Sequence, residues 1–284
     1  MALHSISASA VRRFSYCPRW YYINYMLGFH AKSPIKAKFP IGDSIHKTLS
    51  MRNKDKFRER ISDLVRSEEI VDEGVPFDEL VGRGELLADK ALEWISRFDG
   101  IVLQEKLVQH KIVLPDKEIE LVGYPDLVAT RQGENVLVDY KIGYDAITEN
   151  EAFAYAFALA LYKLGLIASD IKIGKAMIAS MVMRTRKERY STRAKTPIVD
   201  IVELPVCLDD NVQKMLLQVV DSMVICIERQ IFPALGVTNG VCIWCPNGRE
   251  LKNQKLCFYP DSVLKEFSQT SLQRTSIERW RDEI

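Results

Sequence analysis

No stretch of the chain is long and uncharged enough to span a bilayer, which takes roughly 18 to 20 residues, and the first ten residues, MALHSISASA, lack the apolar segment of a secretory signal. A cytoplasmic protein without membrane contact is the expectation. Nor is there an excess of either charge. Lys and Arg number 39 against 38 for Asp and Glu, so the molecule as a whole is not drawn to polyanions, and any contact with nucleic acid must come from local clustering. Internal repeats and low-complexity linkers are missing, which excludes a repeat architecture. Cysteine is sparse: six in 284 residues. The cytosol keeps thiols reduced, so three disulfides are not expected, and metal binding and plain burial compete to explain the six. What the chain does have is apolar material, 47% hydrophobic, enough to bury one sizeable core or two small ones.

The pattern along the chain predicts helices, then strands, a helix, two more strands and a helix. Ser7 or Ser9 caps a first helix reaching about Leu27, carrying Val11, Phe14, Tyr21, Tyr22 and Tyr25 on one rough face. Pro40 suits the first turn of a second helix running through SEE, and a third covers about Asp78 to Phe98. After Gly100 the segments IVLQEKLVQHKIVL, EIELVGYPDLVAT and NVLVDYKI are rich in Val, Ile and Leu and separated by turn residues, which predicts consecutive antiparallel strands. A helix over 149–167, strands KAMIASMVMRT and PIVDIVELPV, and a helix from about Asp209 to Arg229 follow. The fold class is α/β, a single domain with a helical part over 1–100, a core over 101–206, and a helix and cysteine-bearing segment over 207–284.

Asp126, Asp139 and Lys141 interrupt two of these apolar strands. Alternate strand residues share a face, so Asp139 and Lys141 point one way while Val136, Val138 and Tyr140 point the other, where they can pack under a helix. If the preceding strand pairs through the Gln-Gly-Glu turn, Asp126 reaches the same spot. Two carboxylates so close repel, and a hard divalent cation such as Mg2+ or Mn2+ relieves the repulsion. A lysine beside such an ion suits phosphodiester cleavage. The residues alone are equally compatible with two surface aspartates and a weak Asp139–Lys141 pair near a hairpin.

Gly123 to Asp126 followed by VLVDYK resembles the second and third motifs of the PD-(D/E)xK nuclease superfamily, in its RecB-like branch, and GDSIH supplies the Gly42 and His46 of that branch's upstream helix. By helical pattern alone His46 shares a face with Gly42, Ile45 and Leu49, where a half-buried, hydrogen-bonded histidine is also at home. The resemblance, over roughly residues 40 to 165, implies a restriction-endonuclease-like core, a mixed central sheet flanked by helices. It implies that His46, Asp126, Asp139 and the carbonyl of Tyr140 hold the metal and that Lys141 is the catalytic lysine. Of the branch's Gln-x-x-x-Tyr motif, ALALY offers Tyr162 but has Ala158 in place of glutamine.

Cys242 and Cys245 form a Cys-x-x-Cys pair, with Cys257 after eleven intervening residues and Cys17 far upstream. Four thiolates suit either zinc or a 4Fe-4S cluster, and spacing does not choose between them. One cysteine in a Cys-Pro-Arg sequence before the core and three after it resembles the iron-sulfur nucleases, namely AddB, the nuclease part of the eukaryotic replication helicase-nuclease, and the CRISPR-associated RecB-like exonucleases. That resemblance implies a 4Fe-4S cluster on Cys17, Cys242, Cys245 and Cys257. Cys207 and Cys226, in a predicted strand and helix, are expected as ordinary buried thiols.

Arg184, Arg186, Lys187, Arg189, Arg193 and Lys195 surround Tyr190 between two predicted strands. Phosphate-neutralising cations with an aromatic for stacking suit single-stranded DNA, and a solvated hairpin tip accounts for the same run. Trp20, Tyr21 and Tyr22 are expected to pack around Cys17. The resemblance implies a metal-dependent exonuclease acting chiefly on single-stranded DNA, with integrase proteins of spacer acquisition as partners. A repair or viral recombination nuclease, a non-catalytic adaptor that keeps fold and cluster, and a zinc-stabilised structural protein are the alternatives.

Overall fold

The computed structural model describes residues 5–28, 35–36, 38–67, 70–71, 77–114, 117–184, 199–235, 250–251, 254–255, 257 and 261–262. The chain forms two compact units, one of Met1–Ser33, Ile112–Glu120 and Lys214–Ile284, the other of Pro34–Lys111 and Leu121–Gln213. Among the described residues no helix is long and apolar enough to cross a membrane.

In the first unit, strand β1 (Ser5–Ser7) leads into helix α1 (Ala8–Tyr16), which starts where the Ser7 hydroxyl accepts the Ala10 N–H at 3.2 Å. The sequence pattern predicts one helix to Leu27, but Cys17 interrupts it. A residue before proline is pushed out of the helical region, and Cys17 takes φ −165, ψ 114 ahead of Pro18. Pro18 then opens helix α2 (Pro18–Tyr21), followed by a π turn over Tyr22–Met26. Trp20, Tyr21 and Tyr22 are buried, with Tyr22 stacked on Phe232 at 4.5 Å and the Arg13 guanidinium 3.9 Å over the Trp20 ring.

The second unit begins with β2 (Ile35–Lys36), helix α3 (Lys38–Met51), helix α4 (Asp55–Ser67) and β3 (Ile70–Val71), the two short strands pairing in parallel. The pattern predicts α3 and α4 as one helix. Arg52, at φ 49, and Asn53 divide them, the Asn53 side chain accepting the Asp55 N–H at 2.9 Å in place of a helical carbonyl. Ser44 and Thr48 are fully buried on α3 because their hydroxyls donate to the carbonyls of Pro40 and Ser44 at 2.7 and 2.8 Å. Helix α5 (Phe77–Ile95) then runs up to β4 (Gly100–Leu103).

Strands β5 (Val108–Leu114), β6 (Lys117–Gly123), β7 (Leu127–Arg131) and β8 (Glu134–Gly143) follow, then helices α6 (Glu149–Phe153) and α7 (Ala156–Ala168), strands β9 (Lys175–Met183) and β10 (Val199–Pro205), and helix α8 (Asp210–Arg229). The central sheet has the order β10-β9-β8-β7-β4. Its β8–β9 pair is parallel, bridged by α6 and α7, and its other pairs are antiparallel, so the sheet is mixed. β9 is buried on both faces from Ala176 onward, which is why it reads as an unbroken apolar run. Val136, Val138 and Tyr140 of β8 pack with Ile41, Ile45 and Leu49 of α3 and Leu87, Ala91 and Trp94 of α5 in one core.

Two of the predicted strands are each split between sheets. The first divides at 104–107 into β4 and β5, the second at 124–126 into β6 and β7, and β5 and β6 belong to a three-stranded sheet of order β1-β6-β5. Both breaks meet at one point, where the Glu105 N–H donates to the Pro125 carbonyl at 3.0 Å. Pro125 has no N–H to offer a ladder, and Gly123 lets the Tyr162 ring lie so close that a Cβ there would stand 2.3 Å from it.

Candidate active site

Asp126 lies in the switch between β6 and β7, and antiparallel pairing of Leu127 with Val138 carries it beside Asp139 on β8. Its Oδ2 accepts the Tyr140 N–H at 2.6 Å, which fixes the carboxylate against the neighbouring strand. Its Oδ1 is 3.6 Å from Nδ1 of His46 on α3. Asp139 is buried, and its Oδ2 pairs with the Lys141 ammonium. Lys141 Nζ also donates to the Tyr140 carbonyl at 3.0 Å and sits 4.7 Å over the Tyr155 ring. The Tyr140 side chain points into the core on the opposite face, its ring 5.4 Å from that of His46. The structure thus brings together His46, Asp126, Asp139, Tyr140 and Lys141, all within the second unit.

Burial raises the pKa of Asp126 to about 6, helped by the Asp139 charge and opposed by His46, Lys141 and the Tyr140 N–H. Burial disfavours the Lys141 ammonium, but Asp139 and Asp126 outweigh it and its pKa is raised. The Tyr140 phenol is pushed well up by burial, with Asp126 and Glu105 adding to the effect. The group is therefore acid-rich and held by one resident ammonium. Among the described residues no three His, Cys, Asp or Glu side chains are gathered tightly enough to hold an ion as they stand. The donors nevertheless suit a hard divalent cation. They are carboxylate oxygens, a backbone carbonyl and an imidazole, with the Lys141 ammonium resting on the buried Asp139 Oδ2.

Sequence reasoning missed Glu105, whose Oε1 is 3.9 Å from His46 Nδ1, and Tyr155, which covers Lys141. It also missed Ser180, which is paired in register with Lys141, is 1% exposed and accepts the Ile147 N–H at 3.1 Å. No signal in the sequence marks Glu105, an acid beside Lys106 just past the end of β4. Tyr162 is half-buried against Gly123, at the root of the turn carrying Asp126, and Ala158 one turn earlier on α7 is buried.

Arg184 follows the end of β9, and its carbonyl accepts from the Arg83 guanidinium. Arg186, Lys187, Arg189 and Tyr190 lie outside the described residues, as do Cys242 and Cys245. Cys17 and Cys257 are both buried, each in the first unit. Cys207 corrects the expectation of a buried strand thiol: it follows the end of β10, beyond the sheet's ladder, and is exposed. Cys226 is half-buried on α8, and burial raises its thiol pKa.

Among solved structures the chain is similar to the crystal structure of SSO0001, at 11% identity and a TM-score of 0.43, over 87% of this chain and 85% of that one. No curated protein matches it. The PD-(D/E)XK nuclease superfamily matches over residues 5–248. That span is most of the sequence, and the chain belongs to the PD-(D/E)XK nuclease superfamily.

Proposed function

We propose that this member of a superfamily of metal-dependent nucleases cleaves DNA at Asp126, Asp139 and Lys141, working from the ends of single strands. The observation that carries the reading is the pair of carboxylates, half-buried Asp126 in the turn before β7 and buried Asp139 on β8, with the Lys141 ammonium on Asp139 and His46 facing Asp126. Asp126, Asp139, the Tyr140 carbonyl and His46 would hold a divalent ion such as Mg2+ or Mn2+, which would supply Lewis-acid polarisation of a phosphoryl oxygen. Asp126 stays oriented through the Tyr140 N–H, which leaves Oδ1 as its outward oxygen. Lys141 remains an ammonium in this environment, so it acts as a positive charge and hydrogen-bond donor to the phosphate.

The substrate preference rests on the basic run from Arg184 through Arg186, Lys187 and Arg189 around Tyr190, which offers phosphate neutralisation and a stacking surface. A 4Fe-4S cluster on Cys17, Cys242, Cys245 and Cys257 is part of the same reading, supported by the cysteine order and by the burial of Cys17 and Cys257. Processing of DNA ends alongside CRISPR integrase proteins is the biological role that the resemblance favours. Oligonucleotides labelled at either end test the substrate. With Mn2+ or Mg2+, single strands should shorten progressively from one end and blunt duplexes much more slowly. Equal cutting of closed circular and linear single strands would replace the exonuclease reading with an endonuclease.

A further inference from the structure

The crossover from β8 to α7 lies over the sheet face that carries Lys141 and is fastened there at both ends. At its start the Ile147 N–H donates to Oγ of Ser180, which stands beside Lys141 in the register of the parallel pair. At its end the Tyr155 ring lies 4.7 Å from the Lys141 ammonium. Between these two points α6 packs against β10, with Ala152 as its one buried residue. Phe153, in the last turn of α6 and two residues from Tyr155, is 54% exposed. Tyr124 lies ahead of β7, on the side of β8 away from β9 and β10, and is 41% exposed two residues before Asp126.

Among the described residues of the second unit, Phe153 and Tyr124 are the two aromatic rings open to solvent, while Phe57, Trp94, Phe98 and Tyr140 are buried. Single exposed apolar side chains are ordinary, but two rings flanking one site, one of them on a segment pinned over Lys141, are placed where a substrate must pass. We propose that Phe153 and Tyr124 form a base-stacking subsite, which takes the bases on either side of the scissile phosphate when the strand is unpaired. The proposal rests on the nuclease reading above and gives it a source of single-strand preference beside the site itself. Every base has a π face, so stacking on a ring tolerates any sequence. In a duplex those faces are covered by neighbouring pairs, and exposing one costs unstacking and unpairing. The rings therefore favour single strands without reading them.

The test measures KM and kcat for Mn2+-dependent cleavage of end-labelled single-stranded oligonucleotides by the whole protein, with thermal unfolding of each variant. Phe153→Ala and Tyr124→Ala should each raise KM about tenfold, within the range seen on removing a stacking aromatic, and the preference for single strands over blunt duplexes should shrink with it. Phe153→Ala should unfold like the wild type, because an exposed ring supports no core. Phe153→Trp should keep the wild-type KM, and Phe153→Leu, apolar but without a π face, should not. A series of strands with one abasic position each gives the decisive comparison. At one position the missing base should cost the wild type about tenfold and Phe153→Ala nothing further, since ring and base act as a pair. A wild-type KM in either alanine variant, or abasic penalties that match between wild type and Phe153→Ala at every position, would overturn the proposal and leave the nuclease reading standing. Full rescue by Phe153→Leu would make the contact merely apolar and overturn it too. A wild type that leaves DNA uncut in Mn2+ would overturn both.

Discussion

A carboxylate buried beside a second carboxylate holds its proton more tightly than in water, and Asp126 does so to about pH 6 against an ordinary 3.8. Between those values the folded protein binds a proton that the unfolded chain has released. The contribution of Asp126 to stability is therefore fully present below about pH 4 and is lost as pH rises through about 6. Metal-free protein should unfold at a lower temperature at pH 7 than at pH 5, and Mn2+ should restore the difference at pH 7. Asp126→Asn should flatten the pH dependence and remove the Mn2+ effect, and calorimetry of both proteins with and without a chelator reads all of this. If the two metal-free profiles are superimposable, Asp126 is not the group responsible. Asp126, Asp139 and Lys141 were legible in the sequence because polar residues inside Val- and Leu-rich strands conflict with their surroundings. Glu105 was not, because an acid next to a lysine at a strand end carries no such conflict and its partner His46 is 59 positions away, a proximity that only the folded chain creates.

At the level of elements, periodicity located nearly every helix and strand, and the errors were breaks and sheet membership. A period of two says that a strand has two faces. It does not say that the strand changes partners midway, as the runs containing Gln104–Leu107 and Tyr124–Asp126 do. The helix predicted through Met51 failed at Arg52 and Asn53 for a local reason, the Asn53 side chain taking the place of a helical carbonyl. After strand β8, α6 begins with a capping box in which the Thr148 hydroxyl accepts the Glu151 N–H at 3.2 Å and Glu151 Oε2 accepts the Thr148 N–H at 2.7 Å. The neighbouring Ile147 N–H bonds to Ser180, opposite Lys141 in the sheet. Thr148→Ala should destabilise the protein by about 1 kcal/mol in urea unfolding, the common cost of losing such a cap. A change near zero would show that the box does not anchor the crossover.

For the molecule as a whole, the α/β class and the apolar underside of β8 follow from composition and alternation, while the mixed sheet was implied only by the resemblance to the nuclease superfamily, the residue pattern itself predicting antiparallel strands. The division into two units does not, because each is assembled from segments distant in sequence and no linker composition marks the passages between them. The proposed cluster draws its cysteines from both ends of the chain, and closing so long a loop constrains the unfolded state. Cys17→Ala and Cys257→Ala should yield iron-poor, colourless protein of lower thermal stability, while Cys207→Ala and Cys226→Ala keep iron and colour. Iron analysis that finds all four variants alike, or zinc in the wild type, would remove the cluster and leave the nuclease site untouched.

The central claim is that Asp126, Asp139 and Lys141 form one metal-dependent phosphodiester-cleaving site. Its most direct test is hydrolysis of labelled single-stranded DNA by wild type, Asp139→Asn and Lys141→Ala in Mn2+, with circular dichroism confirming that each is folded. The expected result is metal-dependent cleavage by the wild type and a loss of at least about a hundredfold in both variants, the scale on which removing an electrostatic partner of the reacting phosphate acts. Folded Asp139→Asn or Lys141→Ala protein that cleaves at the wild-type rate would contradict the account.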